Sequence, residues 1–223
     1  MLAAWHPPAS GEMSTMAEFA RIGVLPGQPF STDDMSPEIV AAIEAGVEDA
    51  RAAIEANVER FTAQVNGWNW STDDISRFGT DYLTRSTVAL KNIYPNAPDH
   101  AIYGQAFRDS NDEILDGNHL YEVTFPPGEQ PPVDWFWSLT LYDESTTMYP
   151  NPTGRTNIGD RTAGLVYGDD GSLTITVTHN EPAEPANWLP APAGPFYLVV
   201  RNYGAKRRIV EGDWTPPPIQ RVG

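Results

Sequence analysis

The sequence predicts an α+β protein, with a helical N-terminal segment that carries one long helix followed by a mostly antiparallel β region. Three observations predict it. Between Ser36 and about Gln64 apolar residues recur at alternating steps of four and three, which is the helical period. From about Ala101 the period becomes two. Turn signals then punctuate the chain at Asp116-Gly117, Pro126-Pro127-Gly128, Gly168-Asp169-Asp170-Gly171 and Gly194-Pro195, leaving connections too short for crossover helices.

Bulk properties narrow the function. The 223 residues hold 30 Asp and Glu against 14 Lys and Arg, a formal charge of -16. Such a surface repels a phosphate backbone or an anionic membrane, so nucleic acid is not an expected partner. With no cysteine there is no disulfide, thiolate nucleophile or zinc-thiolate site. Nowhere do about 18 apolar residues run together, and Met1 to Ala9 lacks a basic stretch followed by an apolar one. No membrane span and no leader are expected, which places the chain in the cytoplasm; a processed form would be periplasmic or secreted.

In order along the chain, residues 1–18 mix Pro, Ser, Gly and Met without period and read as a flexible tail. Residues 19–100 read as a helical segment packing on the β region. Ser36-Pro37-Glu38 combines a hydroxyl N-cap, proline at the first helical position and acid in the first turn, and starts the long helix. Its stripe is Ile43, Val47, Ala50, Ile54, Val58, Phe61 and Val65, and Asn66-Gly67 is expected to end it. Its length suits a strut, or a contact between copies in a homo-oligomer. A second helix is expected from about Asp81 to Ile93. Strands are expected near 101–108, 119–125, 134–142, 164–168, 172–179 and 196–203, making 101–223 the β domain.

The apolar run Phe196 to Val200 reads as the core strand, with Arg201 and Tyr203 sharing the parity of Tyr197 and Val199. Ser138, Thr140 and Tyr142 likewise share one face of their strand. His179 continues Leu173, Ile175 and Val177 and is expected to point inward.

Several ordered motifs carry a resemblance. Asp134-Trp-Phe-Trp-Ser-Leu-Thr-Leu-Tyr-Asp143, Arg155-Thr-Asn-Ile-Gly-Asp-Arg161, Gly171-Ser-Leu-Thr174, His179 and Asn187-Trp-Leu-Pro-Ala-Pro-Ala-Gly-Pro-Phe196 resemble the domain of unknown function 1214 family. Asp81-Tyr-Leu-Thr-Arg85, Tyr103 and Gly212-Asp-Trp-Thr-Pro-Pro217 extend the likeness across most of the chain. The resemblance implies a β-sandwich of jelly-roll type with helical additions, and no settled activity. Members of that family commonly carry a preceding domain of the 1254 type, which this chain is expected to lack.

The polar residues of these motifs are the candidate site. His179 is the expected proton shuttle, with Tyr142 or Tyr203 as auxiliary donor. Arg201 and Arg155 are the expected anion clamp, with Arg85, Tyr82 and Trp188 as further substrate contacts. The competing reading is structural: Arg155, Asp160, Arg161 and Asn187 tie long loops to the sheet. No metal or cofactor is expected, because His6, His100, His119 and His179 show no paired spacing and no nucleotide loop or Gly-x-Ser-x-Gly elbow occurs. Asp109 to Gly117 lacks the ligand pattern of a calcium loop and reads as a hairpin turn. Two function classes follow. One is a metal-independent enzyme doing acid-base chemistry on a small polar or anionic molecule. The other is a non-catalytic glycan- or protein-binding module, with Trp68 and Trp70 as its exposed platform and Trp135 and Trp137 in the core.

Overall fold

The computed structural model describes residues 10–58, 64–70, 76–92 and 95–222. They fall into two units, one of residues 1–58 with 78–93 and one of residues 59–77 with 94–223. Among the described residues no helix is long and apolar enough to cross a membrane.

In the helical unit, a 3-10 turn over Ser10–Glu12 leads into helix α1 (Met13–Ala20), so the second half of the expected tail is helical. Helix α2 (Pro37–Val58) begins where the cap signals place it: the Ser36 carbonyl accepts from Ile39 and Val40 N–H. Hydrogen bonds from Ser36 and the backbone hold the Glu38 carboxyl below its ordinary range. Helix α3 (Tyr82–Asn92) is capped by Asp81, whose carboxylate accepts from the Thr84 N–H at 3.0 Å and hydroxyl at 2.6 Å. The helices are tied by the buried Asn57, which donates to Thr87 Oγ1 at 3.0 Å. The expected stripe is only partly covered, with Val47 52% exposed.

The long helix is shorter than expected. Gln64 and Val65 form strand β1, Trp68–Trp70 form β2, and Val65 lies opposite Trp68. Asn66 and Gly67, at φ 53° and 82°, are therefore the two-residue turn of a hairpin rather than a helix stop. Phe61 lies outside the described residues.

The β unit continues with β3 (Ala101–Ala106), β4 (Tyr121–Phe125), β5 (Val133–Asp143), β6 (Asn157–Gly159), β7 (Leu173–Thr178), β8 (Trp188–Pro190) and β9 (Phe196–Ala205). A short helix α4 (Arg207–Val210) and β10 (Ile219–Arg221) follow. One sheet has the order β1-β2-β3-β9-β5-β6 and the other β10-β4-β7-β8. All ladders are antiparallel except β7 with β8. The expected strand at 164–168 is absent: Val166 pairs its N–H and C=O with the side chain of Asn187 instead.

The sheets share one apolar core. Leu139, Leu141, Ile158, Leu198 and Val200 come from the first, and Tyr121, Val123, Phe125, Leu173, Ile175 and Val177 from the second. Rings bridge them, Phe125 to Trp137 at 5.1 Å and Tyr121 to Phe196 at 5.9 Å. The result is two facing, mostly antiparallel sheets of unequal size, one of six strands and one of four.

Candidate functional site

Strand alternation builds the site. On β9, Phe196, Leu198, Val200 and Asn202 are buried in the core, so Tyr197, Val199, Arg201 and Tyr203 stand on the opposite face of the six-stranded sheet. On β5, Trp137, Leu139 and Leu141 face the core while Phe136, Ser138, Thr140 and Tyr142 stand outside. Register then brings them together: Arg201 lies between Tyr103 and Ser138, Val199 between Gln105 and Thr140, Tyr203 beside Phe136, and Tyr197 beside Tyr142. A polar floor results, with aromatic groups at both ends.

At one end the Arg201 guanidinium donates to Thr140 Oγ1 at 2.8 Å and to the Tyr142 hydroxyl, and lies 5.4 Å from the Tyr142 ring centroid. Tyr142 stacks on Tyr197 at 5.1 Å, and Tyr197 on Phe107 at 5.0 Å. At the other end Tyr203 stacks on Phe136 at 4.5 Å. Arg161 lies 4.3 Å from the Phe136 centroid and donates to the Trp135 carbonyl at 3.2 Å. A cavity of about 340 Å³ opens between the two ends, lined by Ser138, Thr140, Asn157, Arg161, Arg201 and Tyr203 among others.

The charge balance distinguishes this cavity. Arg21, Arg85, Arg108, Arg207 and Arg208 each meet a carboxylate within 4 Å. Arg161 and Arg201, like Arg155, meet none among the described residues, although the chain carries 30 acids, and only these two line the cavity. Around Arg201, the Tyr142 hydroxyl accepts from the guanidinium and the Tyr203 hydroxyl accepts from Tyr103 at 3.3 Å. Burial, then the Tyr203 hydroxyl, pushes the Tyr103 phenol up to about 12 despite the Arg201 charge, and burial raises Tyr197 as well. Asn96 donates to the Tyr103 hydroxyl at 2.6 Å, fixing its orientation.

The remaining expected site residues lie elsewhere. His179 follows the end of β7 in the other sheet, and it is exposed rather than inward. Its backbone N–H donates to the Gly117 carbonyl and its Nδ1 lies 3.0 Å from the Ala191 carbonyl, so the imidazole anchors a loop. Arg155 donates to the carbonyls of Pro185, Ala186 and Trp188 at 3.2, 3.0 and 2.9 Å. Trp188 is buried and donates to the Thr178 carbonyl. The structural reading thus fits Arg155, Trp188 and Asn187, and also Asp160, which accepts from the Trp137 N–H. Arg161 makes such a tie as well, to the Trp135 carbonyl, and also lines the cavity. Arg85 and Tyr82 belong to the helical unit, where Arg85 pairs with Glu12 at 3.0 Å and lies over the Tyr82 ring.

Trp68 and Trp70 are 0% and 3% exposed and form no platform, because β2 turns both into the core. Trp135, expected in the core, is 55% exposed, since a register shift between Val133 and Phe136 reverses its side. A larger cavity of about 720 Å³ beside the β1–β2 hairpin holds Arg108, which meets the exposed Asp112 carboxylate at 3.7 Å. Among the described residues no group of three or more acidic or histidine side chains is placed to hold a metal ion.

Comparison with known proteins gives a likeness to one family over part of the chain and a similar fold. The sequence pattern of the family described as "Protein of unknown function (DUF1214)" matches residues 100–207, a span that contains β3 to β9 and both cavity arginines. The crystal structure of the VPA0106 protein from Vibrio parahaemolyticus is similar over 96% of this chain, with 26% sequence identity and a TM-score of 0.67. This chain spans 51% of that one. An uncharacterised protein from Burkholderia cenocepacia aligns over 86% of this chain and 44% of its own, at 17% identity and a TM-score of 0.39. Residues 100–207 are thus similar to the DUF1214 family, and the fold is similar to that of the Vibrio protein.

Proposed function

We propose that this protein binds a small organic anion on the outer face of its six-stranded sheet, with Arg201 as the anchor. The observation that carries the reading is Arg201 itself. Its guanidinium is held by two neutral hydroxyls, those of Thr140 and Tyr142, with no carboxylate partner among the described residues, and it faces a cavity. A cation oriented by neutral groups keeps its charge available for an incoming carboxylate or phosphate, with which charge-assisted bonds are strong. Ser138, Asn157 and Tyr203 line the same space and would pair with the neutral polar atoms of the ligand.

Binding is favoured over acid-base turnover because the described lining holds neither a carboxylate nor an imidazole, and His179 lies on the other sheet. In the enzyme reading, Tyr142 and Tyr203 are the auxiliary proton donors. The test is a thermal-shift screen of purified protein against organic acids. A ligand at a hundred times its dissociation constant raises stability by about 2.7 kcal/mol. The reading expects that shift to vanish in Arg201→Gln and to persist in His179→Gln. An equal shift in wild type and Arg201→Gln would overturn it.

A further inference from the structure

Resting on that anion-binding reading, we infer that the ligand carries two acidic groups, one held by Arg201 and the other by Arg161. Both arginines line the same cavity, and neither meets a carboxylate among the described residues. They are held by different partners: Arg201 by Tyr142 and Thr140, Arg161 by the Trp135 carbonyl and the Phe136 ring. Phe136 and Tyr142 stand six residues apart on β5, about 20 Å at roughly 3.3 Å per residue. Each guanidinium carbon lies within 5.4 Å of its ring centroid. With each guanidinium drawn to its own ring, the two charges are held at separate points along the strand. One acidic group leaves the exposed Arg161 without a charged partner, where a second acid gains paired, charge-assisted bonds. The floor between them is neutral and polar at Ser138, Thr140 and Asn157, suited to an uncharged linker. The class is a diacid of extended length.

Isothermal titration of the intact protein with nonanedioate and with its monomethyl ester tests this, since the two differ in one charge at equal length. The inference expects the diacid to bind wild type about tenfold tighter, the gain of one well-made ion pair. In Arg161→Gln the diacid should fall to within about twofold of the ester, while Arg161→Lys, which keeps the charge, should retain part of the difference. Equal affinities in wild type, a tenfold advantage that survives in Arg161→Gln, or no binding of either acid to wild type would overturn the inference. The underlying reading fails separately: it falls if Arg201→Gln leaves the affinities of both compounds unchanged, whatever Arg161 does. Circular dichroism melts of each variant confirm that the folded protein is being titrated.

Discussion

Replacing Trp68 by alanine separates a tryptophan packed in the core from one that serves as a surface platform. The side chain is 0% exposed, belongs to the core shared by the two sheets, and donates from Nε1 to the Pro217 carbonyl at 2.7 Å. Truncating a buried tryptophan costs about 3–5 kcal/mol. Orphaning the Pro217 carbonyl adds about 1 kcal/mol, for a total of about 4–6 kcal/mol. Total stabilities run at about 5–15 kcal/mol, so this variant should sit near its unfolding threshold at room temperature. Urea unfolding followed by tryptophan fluorescence reads the effect in the right place, because every tryptophan except Trp5 lies in the β unit. The midpoint should fall with little change in slope. Trp68→Phe should recover part of the loss by refilling the space without restoring the hydrogen bond. A loss below about 1 kcal/mol in Trp68→Ala would show that the side chain is not packed as described, and would refute the reasoning.

Arg155→Ala should destabilise the β unit by about 2–3 kcal/mol, because one guanidinium serves three loop carbonyls, yet should leave organic-acid binding intact; urea midpoints and titration check the two halves. Tyr103 has a folded pKa raised from 10 to about 12, so its contribution to stability is fully present below pH 10 and is lost as pH rises toward about 12. Tyr103→Phe should flatten that alkaline loss in urea midpoints measured across the same window. Gly159→Ala should push β6 away from β5, since a Cβ there would sit 2.0 Å from the Trp137 carbonyl oxygen and 3.0 Å from Ser138 Cα. The expected cost is about 1–3 kcal/mol, read in the melting temperature, together with weaker anion binding because β6 carries Asn157 and leads to Arg161.

What could be read from the sequence was local. Ser36-Pro37-Glu38 marks the start of α2 because capping and φ preference act within one turn. Alternation on β5 and β9 groups Ser138 with Thr140 and Tyr142, and Arg201 with Tyr203, for the same reason. Which face of β9 meets the core was not legible, because Phe196 to Val200 is apolar on both sides. The meeting of Arg201 with Tyr142 depends on pairing between strands some sixty residues apart, which no local pattern encodes. Asn66-Gly67 suits a helix end and a hairpin alike; only the pairing of Val65 with Trp68 decides. The phase that points Leu173, Ile175 and Val177 inward stops with β7 at Thr178, so it does not extend to His179. Arg161 is obscured by its neighbour, since Asp160 does fix the loop, and an arginine beside it looks already paired.

The central claim is that Arg201 anchors an anion, and a crystal of the protein grown with 4-bromobenzoate tests it most directly. The ligand is an aromatic acid, and its bromine can be located by anomalous scattering. The account predicts a bromine peak inside the cavity between Tyr142 and Phe136, with the carboxylate on the Arg201 guanidinium. A peak confined to the Arg108 cavity or to lattice contacts, with Arg201 unliganded at saturating concentration, would contradict it.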